Sequence, residues 1–226
     1  MIVIEETTRL RVWDLPVRLF HWLLVLLVII LFVTGKLGGN WLEWHQRAGF
    51  SVLGLITFRI IWGFVGSYHA RFANFPRGLA VMFVYLKGVI RKDSRHFAGH
   101  NPLGAISVVT MLGVLLLQAV LGLFSNDDLM LEGPYARLLS KAASDQVTTL
   151  HKLNADLILI LVGIHLAAIA FSWFYKRQNL LKPMFTGDKI LPSGAAESQS
   201  SRPRPIWLAW FIGVCVAIAT YTLLNK

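Results

Sequence analysis

The stretch LHKLNADLILILVGIHLAAIAFSW, Leu150 to Trp173, decides the fold, because it is almost wholly apolar and yet carries His151 and His165. The fourteen residues from one histidine to the other turn a helix to within about 40° of four full turns. Both imidazoles therefore lie on one face of a predicted helix, about 21 Å apart along its axis. That distance is most of the roughly 30 Å hydrocarbon thickness of a bilayer.

The composition indicates an integral membrane protein. Of 226 residues, 55% are hydrophobic and only 15% are charged, which is too apolar for an ordinary soluble domain. We assign the net charge of +10 to basic loops facing the cytoplasm, and we expect no nucleic acid partner. The single cysteine, Cys215, excludes an intramolecular disulfide, an iron–sulfur cluster held by four cysteines and a covalent CxxCH haem.

Five apolar segments reach the length of about 20 residues that a helix needs to cross a bilayer. We predict an all-α integral membrane protein whose spans cover residues 15–36, 42–66, 102–124, 146–175 and 206–224. Residues 1–190 form the main domain, and a polar linker over 191–205 precedes the fifth, C-terminal span. The stretch PRGLAVMFVYLKGVIRK, from Pro76, is too short to span and predicts an amphipathic helix along the interface.

The charges of the loops predict the orientation. Fifteen of the 22 Lys and Arg residues lie in the N-terminal segment, the loop between spans two and three, and the loop before span five. The opposite loop, between spans three and four, is acidic, with Asp127, Asp128, Glu132 and Asp145 against Arg137 and Lys141. The positive-inside rule then places the N-terminus in the cytoplasm and the C-terminus in the periplasm.

Depth sorts four histidines of the predicted spans into two pairs. His45 and His151 form the outer pair, and His21 and His165 form the inner pair. One intramembrane histidine is often a hydrogen-bonded core residue, but two depth-matched pairs indicate function. Two facing imidazoles suit an iron held in the plane of a porphyrin, whereas zinc prefers three or four protein ligands.

The loop histidines fit a simpler interpretation. His69 and His96 are expected to face water or lipid headgroups. His100 is left open, because it directly precedes the Asn101-Pro102 cap of the third span.

The same fourteen-residue spacing adds candidate haem contacts. Gly35 follows His21 by fourteen residues, and Arg59 follows His45 by fourteen. Glycine lets a bulky ring approach the backbone, and arginine pairs with a haem propionate. The alternatives are a plain helix end at Gly35 and a snorkelling side chain at Arg59. Lys152 is placed to meet an outer propionate or simply to face water.

Several motifs carry a family resemblance, namely VWDLPVRLFHWLL, NWLEWHQRAGFSVLG, FRIIWGFVGS, GHNPLGA and TLHKLNADLILILVGIH. Over roughly residues 10–190, the chain resembles the bacterial di-haem cytochrome b family. That family includes cytochrome b-561 proteins and the membrane cytochrome b subunit of nickel-iron hydrogenases. The resemblance implies a four-helix bundle binding two non-covalent haem b groups, with His21, His45, His151 and His165 as axial ligands. It also implies electron exchange with the quinone pool, and it does not extend to the fifth span.

Three functions follow from these patterns. The leading one is a respiratory-chain electron carrier of the bacterial inner membrane, between quinone or quinol and a redox partner that is periplasmic, such as a cytochrome c or a hydrogenase. The second is a quinone-linked oxidoreductase that acts on a small oxidant such as superoxide. The acidic loop weighs against that anion and favours a basic protein partner. The third, a proton transporter with a histidine relay, lacks a substrate site or broken-helix repeat.

Overall fold

The structure, a computed structural model, describes residues 7–75, 78–90, 97–128, 131–192 and 204–224. The strands and α-helices follow in chain order: β1 Thr7–Arg11, α1 Leu15–Leu37, α2 Trp41–Val65, α3 Leu79–Ile90, α4 Pro102–Phe124, α5 Lys141–Phe174, α6 Leu181–Thr186, β2 Asp188–Pro192 and α7 Ile206–Leu224. Within the described residues, five helices (α1, α2, α4, α5 and α7) are long and apolar enough to cross a membrane. This confirms the predicted all-α membrane fold.

Short-range capping explains where the long helices begin. Asp14 Oδ1 accepts a hydrogen bond from the Val17 amide at 2.9 Å, and Asn101 Oδ1 accepts one from the Gly104 amide at 2.8 Å. Both side chains satisfy amides that have no partner within the first turn of a helix. At the other end of α1, Gly38 and Gly39 have φ of 65° and 54°. These left-handed conformations favour glycine and let the chain turn directly into α2.

The bounds of the long helices lie within one residue of the predicted spans, except at the start of α5. That helix begins at Lys141, five residues before the predicted start at 146, because Ser140 caps it. Ser140 Oγ accepts a hydrogen bond from the Ala143 amide at 3.3 Å. The polar segment that follows Ser140 therefore forms helix although it lacks the apolar character of a span.

The described residues group into two compact units, one made of the segments 7–18, 61–109 and 164–209 and the other of 19–60, 110–163 and 210–224. The second unit contains the bundle core. Val52 and Ile56 of α2 pack with Leu115 of α4 and Ile158 of α5, and residues of α1 such as Val28 pack against this cluster. Helices in lipid associate by this kind of close packing, since the lipid tails are as apolar as the side chains.

Most of helix α7, residues 210–224, also belongs to the second unit. A Cβ atom on Gly54 of α2 would lie 3.5 Å from Thr220 Oγ1, so the two helices are in close contact there. The Tyr135 hydroxyl donates a hydrogen bond to the Leu223 carbonyl at 2.7 Å. The fifth helix is thus held both by the bundle and by the loop before α5.

The first unit contains a two-stranded ribbon that the sequence did not predict. β1 and β2 pair antiparallel, with Leu10 opposite Lys189. Residues 191 and 192 end β2, which corrects the predicted linker of 191–205; residues 193–203 lie outside the described part of the chain. Leu10, Val12, Ala98 and Leu191 form a small buried cluster.

Polar contacts fasten this ribbon to its neighbours. The Lys189 ammonium donates to the Phe97 carbonyl at 2.6 Å, and burial lowers the pKa of Lys189 to about 8. Asp188 receives a hydrogen bond of 2.9 Å from Nε of Arg9 and another of 2.9 Å from Nε of Arg11. The contacts of Asp188 thus link β1, near the start of the main domain, to β2, near its end.

The amphipathic stretch is helical over Leu79–Ile90, while its ends at residues 76–77 and 91–92 lie outside the described residues. Its position along the membrane interface stays a prediction. Tyr85 of this helix accepts a hydrogen bond from the Lys176 ammonium at 2.9 Å.

Candidate functional site

The outer pair of histidines meets inside the second unit. His45 lies in the second turn of α2 and His151 lies in α5, and both side chains are half-buried. Their ring centres are 6.2 Å apart, and the ring planes are inclined at 75°. The two rings, which are more than a hundred positions apart in the chain, thus lie close together in the structure. Their role as a pair of iron ligands stays a prediction.

A backbone carbonyl fixes which nitrogen of His45 carries the hydrogen. Nδ1 of His45 lies 2.9 Å from the Leu31 carbonyl oxygen of α1. A carbonyl oxygen can only accept, so Nδ1 is the donor and Nε2 keeps its lone pair. The Thr34 hydroxyl lies 3.4 Å from the same nitrogen, although its shorter contact is the 2.7 Å bond that it donates to Ile30.

His151 takes the same tautomer, fixed by a chain of polar groups between α4 and α5. The amide nitrogen of Asn154 donates to the Val114 carbonyl at 3.1 Å and to Gln118 Oε1 at 2.8 Å. Gln118 therefore turns its amide nitrogen toward Nε2 of His151, 3.1 Å away. Nδ1 of His151 donates in turn to the Gln118 backbone carbonyl at 3.1 Å. The hydrogen bonds at Nδ1 and at Nε2 therefore both require that Nε2 of His151 carries the lone pair.

Two glycines lie against the outer imidazoles. A Cβ atom on Gly35 would come within 3.1 Å of Cε1 and Nδ1 of His45, and one on Gly122 within 3.2 Å of Cε1 of His151. The ring that approaches Gly35 in the structure is thus an imidazole, and the role of Gly35 as a haem contact stays a prediction. Gly122 was not identified from the sequence, because α4 carries no histidine from which to count a spacing.

The two inner histidines belong to different units. His21 belongs to the second unit and His165 to the first, and both are half-buried. The ring of His21 meets the edge of Trp22 at 5.0 Å. The pairing of His21 with His165 stays a prediction.

The two predicted cationic contacts differ in their surroundings. Arg59 is only 3% exposed, so its side chain does not snorkel to the surface. Lys152 is exposed, in keeping with a position facing water or a group at the outer rim. The structure thus places Arg59 in a buried environment and Lys152 in an exposed one, while the role of each as a haem contact stays a prediction.

The loop histidines lie in the first unit, where the expectation for His69 was wrong. His69 is 6% exposed because the Gly99 backbone packs on it; a Cβ there would lie 3.1 Å from its Nδ1. His100 lies between Trp13 and Phe75, with each ring centre 4.6 Å away. Both histidines line a polar cavity of about 80 Å³. His96 lies outside the described residues.

The outer pair suits an iron porphyrin. The 6.2 Å between the two ring centres leaves room for a metal bonded to one nitrogen of each imidazole at about 2 Å. Both Nε2 atoms also have the lone pair that a metal needs. Coordination would displace only the side-chain amide of Gln118 from Nε2 of His151, and it would leave both Nδ1 hydrogen bonds in place.

Comparison with known proteins gives the family. A family model described as prokaryotic cytochrome b561 matches residues 12–187, and the chain belongs to that family. It is thus a membrane b-type cytochrome of electron transfer, and b-type haem is the cofactor that the family implies.

Relatives of similar length carry a more specific description. A probable Ni/Fe-hydrogenase B-type cytochrome subunit of Azotobacter chroococcum is 24% identical, over 81% of this chain and 90% of the relative. A protein of the same description from Azotobacter vinelandii is 25% identical, over 81% of this chain and 90% of the relative. Another, from Rhodobacter capsulatus, is 26% identical, over 86% of this chain and 86% of the relative. No solved structure gives a significant match.

Proposed function

We propose that the chain holds two haem b groups and carries electrons across the bacterial inner membrane, between the quinone pool and a redox partner on the periplasmic side. His45 and His151 hold the outer haem, and His21 and His165 hold the inner one. The observation that carries the proposal is the 6.2 Å approach of the outer imidazoles, with a lone pair on each Nε2.

His45 and His151 would hold the haem at the outer site. A bound haem supplies a one-electron iron couple, and two histidine ligands leave it no open position for oxygen. Each Nδ1 hydrogen bond holds its ring in place and makes Nε2 a better electron donor. The apolar cluster of Val52, Ile56, Leu115 and Ile158 keeps water from the bundle beside the site.

At the inner level, Arg59 is the proposed partner of a haem propionate. Its burial at 3% exposure would be costly without an anion or strong hydrogen bonds nearby. Lys152 is the proposed contact of an outer propionate. Gly35, predicted as a haem contact, lies against the His45 ring in the structure, so we propose that it acts on the outer haem through that ligand.

The partner and the orientation are also proposals. Loop charge places the N-terminus in the cytoplasm. The hydrogenase subunits among the relatives support a hydrogenase as the electron donor or acceptor, and a periplasmic cytochrome c is the alternative.

Haem content after ligand substitution tests the proposal. The native chain should purify with two haem b per polypeptide, all extractable into acidic organic solvent because no thioether link is available. His45→Ala and His151→Ala should each remove the same haem, and His21→Ala and His165→Ala should each remove the other. Redox titration identifies which haem remains.

Thr149→Ala is the matched control, since this exposed residue lies two positions before His151 and should retain both haems. One haem per native chain would contradict the two-site proposal. Loss of the same haem from His21→Ala and His151→Ala would contradict the pairing.

Rapid reduction of both haems by added quinol, slowed by a quinone-site inhibitor, is expected for a quinone-linked carrier.

A further inference from the structure

Each outer histidine donates to a backbone carbonyl that lies four residues before a glycine. Leu31, the acceptor for His45, precedes Gly35 by four residues, and Gln118, the acceptor for His151, precedes Gly122 by four. The two arrangements lie on different helices, α1 and α4. The repetition at both histidines suggests one shared physical requirement.

Helix geometry explains the spacing. A carbonyl oxygen of an α-helix points toward the amide four residues later and accepts its hydrogen bond. The oxygen has a second lone pair for an outside donor, but the side chain at that fourth residue stands beside it. An imidazole that reaches the carbonyl must pass this fourth residue. A Cβ atom on Gly35 would lie 3.1 Å from Cε1 of His45, and one on Gly122 would lie 3.2 Å from Cε1 of His151. Both distances are shorter than an ordinary carbon–carbon contact of about 3.5–4.0 Å.

Other glycines of these helices lack this relation. Gly113 lies on α4 and Gly163 on α5, and a Cβ on either would meet no atom within 4 Å. Close approach to an imidazole is therefore not a general property of the glycines in the bundle.

We propose that Gly35 and Gly122 are positioning residues that let His45 and His151 donate Nδ1–H to the carbonyls of Leu31 and Gln118, and thereby direct both Nε2 atoms toward a shared iron. The inference rests on the proposed function, because it assigns the two histidines to one haem. It also gives α4 a role at the outer site, although that helix supplies none of the proposed iron ligands.

The hydrogen bond has a measurable electronic consequence. An imidazole that donates Nδ1–H to a carbonyl is a stronger electron donor at Nε2, and a stronger donor stabilises ferric over ferrous iron. A methyl group that pushes the ring from the carbonyl weakens this effect. The reduction potential of the outer haem should therefore rise.

The experiment compares Gly122→Ala and Gly35→Ala with Gly113→Ala in the full-length, haem-loaded protein. Haem per chain and both reduction potentials are measured for each. We expect both glycine variants to keep two haems, to raise the outer potential and to leave the inner one unchanged. Gly113→Ala should leave both potentials at the native values. The two variants test the same claim on separate helices, so failure of one to fold leaves the other.

Three results would overturn the inference. The first is an unchanged outer potential in the variants. The second is reduced outer-haem occupancy with an unchanged potential for the haem that remains, which would mean that the glycines make room for the porphyrin. The third is an equal shift in Gly113→Ala. A native protein without an outer haem would instead refute the proposed function, so the two failures are distinguishable.

Discussion

Arg59 carries a permanent charge and yet is 3% exposed within a membrane-spanning helix. Intramembrane charges are expensive, and they persist where an anion, a polar group or a functional site compensates them. Arg59 lies six residues before the end of α2, and His21 lies six residues after the start of α1. Because successive spans cross the membrane in opposite directions, the two residues are expected at a similar depth. These depths support a role beside the proposed inner haem.

Replacing Arg59 with leucine should therefore lower the potential of the inner haem and leave the outer one nearly unchanged. A fixed positive charge favours the reduced iron, which carries one charge fewer, and partial burial strengthens that attraction relative to water. Redox titration of both haems gives the measurement. Arg59→Lys keeps the charge and should shift the potential less.

Arg47→Leu is a surface control, because the Arg47 side chain is 61% exposed and pairs with Glu43. It should leave the inner potential at the native value. A native inner potential in Arg59→Leu would show that Arg59 does not act on that haem.

At the scale of elements, the β1–β2 ribbon depends on one carboxylate. Asp188 receives hydrogen bonds from Arg11 and Arg9, and these lower its pKa, while partial burial opposes the shift. Because the pKa of Asp188 in the folded protein lies below its ordinary value, the contribution of this carboxylate to the stability of the ribbon is present at neutral pH. It is lost as the pH falls through the native pKa of Asp188.

Acid should therefore loosen the ribbon before it disrupts the bundle. Amide hydrogen exchange in β1, corrected for the intrinsic effect of pH, should stay constant from about pH 7 to pH 5 and accelerate below about pH 4. Asp188→Asn should remove this pH dependence. Asp188→Asn removes the ion pairs with Arg9 and Arg11, and exposed ion pairs contribute about 0–1 kcal/mol each. At neutral pH, the loss of each pair should therefore speed exchange in β1 at most several-fold relative to the native chain.

Glu43→Gln removes a different exposed pair and should leave the exchange of β1 as in the native chain. Equal acid sensitivity in native and Asp188→Asn proteins would show that Asp188 is not the titrating group.

The long helices were predictable because they are apolar runs, and local signals mark several of their boundaries. Asp14 and Asn101 cap the starts of α1 and α4, and the Gly38-Gly39 pair follows the end of α1. The ribbon was not, because β1 is the short polar sequence TTRLR and its partner lies near the other end of the main domain. The close approach of His45 and His151 could be anticipated from their predicted depths, whereas their role as iron ligands stays a prediction. Gly122 could not be anticipated, since only the packing of α4 on α5 distinguishes it from Gly113.

At the scale of the whole molecule, the two proposed haems lie at different depths. His151 and His165 are fourteen residues apart on α5, or about 21 Å along a helix. Moving one charge through the whole membrane potential is worth about 2.3 kcal/mol per 100 mV. Transfer between the haems would cross at most about 0.7 of the roughly 30 Å hydrocarbon layer.

An inside-negative potential should therefore shift electrons from the inner to the outer haem. The upper limit is about 1.6 kcal/mol per 100 mV, or roughly fifteen-fold in the ratio of the two reduced haems. The measurement uses proteoliposomes with an imposed ion diffusion potential and the separate spectra of the two haems. A protease test of the N-terminal segment establishes the orientation of the protein in the vesicles. An unaffected ratio would place both irons at one depth, and a reversed shift in correctly oriented vesicles would contradict the predicted topology.

The loop between α4 and α5 was expected to attract a basic partner, but its charges are largely paired within the chain. Lys141 bridges Asp128 and Asp145, and Arg137 pairs with Glu132. The four carboxylates of the segment face two basic groups, and at physiological salt the remaining field decays over about 8 Å. Diffusional steering from a distance is therefore weak at this surface. A redox partner that docks there would be selected after first collision, by fit and by short-range polar contacts.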